Sequence, residues 1–319
     1  MAKSNYYSLV FFTIALVCFL FSGTYLHAQY FEADNEGASE VTMYKADTVV
    51  IDSMITNDVV LMPHDLAELG KTTSVGIATH YSDYTKIYSI PLSYTLWSKL
   101  KFECVIPYID REIKNKWSNT TGKAHGMGDI KVGAAYLYPF TPSLDSITSV
   151  AVTFPTGDPK KEDEMLIIPL GNGSRSYSIN QSFSYILPQT SLRFYGSVLA
   201  VLYETASIET FSSDKIDRGN VYGALFGFEY AWDSIKGFVR INYIDIQESK
   251  LHDTGLLQWT EMNDSLKTSD IIVGALYRIY SVIALKASVS IPVYTKYDED
   301  LTDTPDRKWY ANFSVTSFF

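Results

Sequence analysis

Hydrolytic chemistry in this chain would have to start from a serine or cysteine beside one of five histidines, His27, His64, His80, His125 and His252. A nucleophilic hydroxyl needs a base within hydrogen-bond reach. His125 is followed by Gly126-Met127-Gly128 and His252 by Asp253-Thr254-Gly255, with no serine set beside either as a partner. No Gly-x-Ser-x-Gly elbow occurs. A serine and a histidine can still meet across strands, so a membrane-embedded hydrolase is a third expectation, without named catalytic residues. Cys18 and Cys104 are the only thiols and lie far apart, so a thiolate metal site is not expected. The carboxylate clusters Glu162-Asp163-Glu164 and Asp298-Glu299-Asp300, the latter followed by Asp303 and Asp306, lack calcium-loop spacing and read as solvated loops. Divalent cations held beside lipopolysaccharide are the alternative for them. No metal and no cofactor is expected.

The other charges recur at every second position of strand-like runs. The basic ones are Lys101, Lys131, Arg193, Arg240, Arg278 and Lys286, and the acidic ones Glu103, Asp129, Glu229 and Asp270. Tyr195 and Phe238 share the same register. Two readings fit them: a ladder of ion pairs that props a narrow barrel, or the polar lining of a channel. As binding groups, Lys101, Arg193, Arg240 and Arg278 with Tyr195 and Phe238 are the candidates.

The elements that would hold these side chains are strands. The chain has 319 residues, a formal net charge of -10, 24 Tyr and 17 Phe, with 46% hydrophobic residues and no long apolar block after the leader. Tyr suits the boundary between lipid and water, since its ring is apolar and its tip polar. The acidic balance, with no basic stripe, argues against nucleic acid as a partner.

Residues 1–28 read as a signal peptide, with Lys3 ahead of an uncharged stretch from Tyr6 to Gly23 and a cut after Ala28. An uncleaved anchor is the alternative. Residues 29–71 are acidic and mixed, with Met62 to Gly70 suited to a short capped helix; they read as a periplasmic lead-in or partial plug.

From residue 72 to 319, runs of about ten residues alternate between two faces, the length a tilted strand needs to cross a bilayer. In 174–186, Tyr177, Ile179, Phe183 and Tyr185 oppose Ser176, Ser178, Asn180, Ser182 and Ser184. In 283–293, Ile283, Leu285, Ala287, Val289 and Ile291 oppose Lys286, Ser288 and Ser290. Gln181 is the weak match, a polar residue on the lipid-facing register. Polar stretches at 111–126, 156–173, 203–219, 248–267 and 294–307 alternate with short turns at 187–190, 232–235 and 280–282. A sandwich has no reason to put every long loop at one end, whereas an outer-membrane barrel does. The expected fold is all-β, an antiparallel up-and-down transmembrane barrel of about twelve strands. The closing strand, Lys308 to Phe319, suits the signal read by the barrel assembly machinery.

Gly126-Met127-Gly128-Asp129, followed by Phe154-Pro155-Thr156-Gly157-Asp158 and then Gly171-Asn172-Gly173-Ser174, resembles the motifs of a barrel family described as outer-membrane transporters of the meta-pathway of phenol degradation. The resemblance extends over most of 72–319, its specific part being 126–174. It implies passive uptake of small hydrophobic or aromatic solutes through an outer membrane of lipid and lipopolysaccharide. Architecturally, Gly126 and Gly128 suit bending at a barrel rim, while Pro155 with Thr156-Gly157-Asp158 suits a strand end and turn. A closed structural or adhesive barrel that binds partners through its long loops is the rival expectation.

Overall fold

The computed structural model describes residues 73–81, 85–96, 99–114, 121–158, 162–163, 166–167, 170–207, 213–253, 258–261, 265–279, 283–297 and 309–318. The expected signal peptide, the lead-in at 29–71 and the acidic cluster at 298–306 lie outside these residues.

Backbone N–H and C=O groups inside a bilayer must pair within the protein, and a sheet meets that demand only by closing on itself. Twelve strands do so here: β1 (Thr73–Tyr81), β2 (Thr85–Leu96), β3 (Leu100–Lys114), β4, β5 (Leu144–Phe154), β6 (Ser176–Ile186), β7 (Leu192–Tyr203), β8 (Val221–Trp232), β9 (Ile235–Ile246), β10 (Leu266–Ile279), β11 (Ile283–Tyr297) and β12 (Tyr310–Phe318). Strand β4 comes in two pieces, Thr121–Met127 and Ile130–Thr141, which pair with successive parts of β3. Every strand runs antiparallel to the next, and β1 pairs with β12 through Ile77↔Val315 and its neighbours. Among the described residues each of the twelve strands is therefore paired with a neighbour on both sides, as closure of a sheet requires.

The outward face is layered. Aliphatic side chains occupy its middle, with Ile77, Val132, Val150, Ile179, Val198, Ile241 and Val273 exposed. Exposed aromatics flank them at both ends. Tyr81, Tyr177, Tyr222, Tyr243 and Trp309 lie at the long-loop rim, and Tyr138, Phe140, Tyr185, Tyr230, Trp232 and Tyr277 at the short-turn rim. These are the girdles that interfacial Tyr and Trp form around a membrane barrel. Gln181 lies in the aliphatic zone, where its amide is satisfied by two neighbours on the same face. Thr148 Oγ1 donates to its Oε1 at 2.6 Å, and its Nε2 donates to Ser146 Oγ at 2.5 Å.

Two turns at the short end use positive φ: Gln189 at 62° and Asp233 at 51°. Asp tolerates that conformation better than most residues, as a two-residue hairpin requires. At the other end the strands outrun expectation. Residues 111–126 are not one long loop, because β3 continues to Lys114 and β4 begins at Thr121. The alternation persists there with charges, and exposed Lys123 faces Glu112 at 3.0 Å across the pair. Strand β11 likewise runs on to Tyr297. Above the rim, Ala206–Ser207, Ser213–Asp217, Lys250–Asp253 and Gln258–Glu261 form a small separate sheet, and Glu162–Asp163 pairs with Leu166–Ile167.

Candidate functional site

The inward face of the barrel mixes polar side chains with buried apolar clusters, one of them Val201, Val221, Ile244, Ile246 and Leu266 with Tyr310 toward the long-loop rim. On β6 it presents Ser176, Asn180, Ser182 and Ser184, all buried, so that wall carries no side chain larger than Asn at these positions. The strands that follow, from β7 to β11, carry charge. Arg193 on β7 reaches Glu229 on β8 at 3.6 Å, and the two residues are directly opposed in register. Arg240 is buried, with its guanidinium carbon 5.6 Å from the centre of the buried Phe238 ring, and Lys286 Nζ lies 5.4 Å from the same centre. Asp270, buried on β10, accepts a hydrogen bond from the Tyr310 hydroxyl at 3.1 Å. Tyr195 is buried beside Arg193 on the same strand, and Arg278 is half-buried on the same side of β10 as Asp270. On β3, buried Lys101 sits 3.4 Å from half-buried Glu103, and half-buried Lys131 on β4 is the diagonal neighbour of Glu103.

The charges on β7 to β11 are thus not balanced. Arg193, Lys236, Arg240, Arg278 and Lys286 face Glu229 and Asp270. Lys236 is a residue the sequence reading passed over, although it stands four places before Arg240 in the same alternation and is buried. His80, which the sequence offers only as one histidine among five, and Arg111, which it puts in the polar stretch 111–126, are also inward and buried. His80 Nδ1 lies 2.7 Å from Asn312 Oδ1, and Arg111 Nε donates to Thr85 Oγ1 at 3.3 Å.

At the long-loop rim, the motif residues converge. Asp129 does not belong to a strand; it occupies the break between the two pieces of β4. Its Oδ1 accepts the Gly157 N–H at 2.9 Å and its Oδ2 the Asn172 N–H at 2.6 Å. Thr156 bridges the break from the other side. Its hydroxyl donates to the Gly128 carbonyl and accepts from the Ile130 N–H, both at 2.9 Å. The Asp158 carbonyl accepts the Leu170 N–H at 2.8 Å, and Arg218 Nε donates to the Asn172 carbonyl at 3.0 Å. Gly157 and Gly171 allow the contact, because a Cβ on Gly157 would stand 2.6 Å from the Leu170 carbonyl oxygen. Gly128 is buried, Gly126 half-buried, and Pro155 and Thr156 are at the exposed rim.

This clasp draws Leu170 inward onto Ile87, Ile109 and Ala124, with which it forms one buried apolar cluster. The connection between β5 and β6 therefore narrows the mouth. Burial pushes the Asp129 carboxyl above the ordinary carboxylate value, while the Asn172 and Gly157 N–H groups and the Arg218 guanidinium pull it down.

A closed strand cylinder with an aliphatic belt, aromatic girdles and buried charges on its inner face defines a class: the integral β-barrels of outer membranes. The chain belongs to the family described as "Putative MetA-pathway of phenol degradation", whose model matches residues 70–276 and so contains the whole clasp. Among solved structures, an outer membrane channel from Pseudomonas putida F1 is similar at 16% identity and a TM-score of 0.65, covering 81% of this chain and 100% of that one. The CymD monoaromatic hydrocarbon channel aligns at 12% identity and a TM-score of 0.46, over 82% of this chain and 92% of its own. No curated protein matches the sequence.

Proposed function

We propose that the protein is a passive outer-membrane channel for small aromatic molecules. The observation that carries this reading is the middle of the inner wall, where hydroxyls and amides on β6, Phe238 and Arg240 on β9 and Lys286 on β11 are set between apolar clusters that lie nearer the rims. A soluble barrel would fill that space with aliphatic side chains, whereas a solute path needs groups that can replace water. The family description supports an aromatic solute, and the similar Pseudomonas putida protein is itself called an outer membrane channel. In this reading the long loops face outward among lipopolysaccharide, β12 is the strand presented to the assembly machinery, and the chain performs no chemistry.

The test is solute flux into proteoliposomes made with the full chain. Entry of phenol-sized aromatic solutes well above that of protein-free vesicles is expected, with exclusion of a disaccharide. A folded barrel that passes neither would contradict the reading. The depth of burial favours a second possibility, a closed structural barrel, since Asp270 and Ser290 are only 1% and 0% exposed. Absence of any flux is what that alternative predicts.

A further inference from the structure

Two neighbouring strands, β11 and β12, place buried polar atoms on the inner wall that have no hydrogen-bond partner among the described residues. Ser288 and Ser290 on β11 are buried, at 3% and 0% exposure, and neither hydroxyl has a hydrogen-bond partner among the described residues. The Nδ2 of Asn312 on β12 is in the same state, its Oδ1 being held by His80. Ser288 stands between Asn312 and Gly274 in register, and Gly274 in turn lies opposite Phe238. These four residues form one row across the wall. Buried donors without partners are rare in folded proteins and call for an explanation.

Gly274 gives the row its shape. A Cβ there would run into the end of the Phe238 ring and stand 2.7 Å from Ser288 Cβ. The ring therefore reaches across Gly274 toward the serine. Lys286 and Arg240, the two cations nearest that ring, flank it. The result is an aromatic surface bordered by hydroxyl and amide donors on one side and by positive charge on both strands.

We infer that this row, Phe238–Gly274–Ser288–Asn312 with Ser290, is a binding subsite for a small aromatic oxyanion, an aromatic carboxylate or phenolate. The solute ring packs on Phe238. Its oxygens take the Ser288 and Ser290 hydroxyls and the Asn312 amide, which supply hydrogen bonds to a charged acceptor. Lys286 and Arg240 set the sign of the field. A plain hydrocarbon would leave those donors as they are, so the subsite separates oxygenated aromatics from hydrocarbons. This inference rests on the channel reading for its place on a route. It is tested without flux, so the two can fail separately.

The measurement is titration calorimetry of benzoate and of uncharged benzyl alcohol onto the full chain folded in detergent. Benzoate is expected to bind at least about tenfold more tightly than benzyl alcohol, as a charge-assisted bond outweighs a neutral one. The Ser288→Ala/Ser290→Ala double variant should lose about tenfold in benzoate affinity, a size typical of hydrogen bonds to charged groups. Lys286→Met should weaken benzoate and leave benzyl alcohol unchanged. Ser182→Ala, on the other wall, should bind as wild type. Each variant is first shown to be folded by the heat-dependent gel mobility of barrels. Benzoate binding that is absent, that equals benzyl alcohol, or that survives the double serine change would overturn the assignment.

Discussion

Replacing Asp129 by Ala would leave the Gly157 and Asn172 N–H groups without their acceptor. An unsatisfied buried donor costs about 1–3 kcal/mol, so local stability of the clasp should fall by at least about 2 kcal/mol. Hydrogen exchange at those two amides reads the change directly. The same carboxyl makes the mouth sensitive to pH. Its value in the fold is raised, mainly by burial, so the protonated form is the one the fold favours. The stability it adds is fully present below its unfolded value of 3.8 and is lost as pH rises through the raised value. Conductance measured from pH 4 to 7 should show a transition in the wild type that Asp129→Asn abolishes; identical profiles would show that another group titrates. The motif was visible in the sequence, but its chemistry was not. Asp129 falls on the same parity as Lys131, which suggests an inward strand position. Its partners are backbone groups 28 and 43 residues away, and backbone N–H groups have no residue-type signature.

At the scale of the strand, the period of two carried most of the information. Outward Ile179 and inward Asn180 alternate as β6 demands, and the same division orders β9 and β11. What the period could not supply was strand ends. Beyond Ile109 the alternation continues through charged residues, with Arg111 buried inside and Glu112 exposed outside, and charge reads as loop when faces are unknown. The lipid-facing assignment is open to direct test. Val198 is 60% exposed at mid-height on β7. Val198→Arg should cost about 2–4 kcal/mol in urea-dependent refolding into vesicles, the depth-dependent penalty for a cation at the membrane midplane. Ser197→Arg, one residue earlier and facing the lumen, should instead alter conductance. Equal costs at the two positions would mean that the faces are misassigned.

For the whole molecule, closure decides stability. Strand β12 pairs with both β1 and β11, so its removal would expose two edges in a medium that offers no hydrogen bonds. A chain ending at residue 308 should show no heat-modifiable folded band, and a folded band of normal mobility would place closure elsewhere. Twelve strands set a lumen between the filled eight-stranded and the water-filled sixteen-stranded cases. Whether solute passes then depends on side chains such as Arg240, Phe238 and Leu170, and the sequence pattern alone could place the first two on a face but not say how far the connection carrying Leu170 reaches inward. The central claim, a passive channel, is tested most directly by single-channel recording of the full chain in a planar bilayer. The account predicts stable conductance steps with a preference for anions, weakened when Arg240 and Arg278 are both changed to Ala. A folded barrel that stays silent across voltage and salt, and passes no aromatic solute, would contradict it.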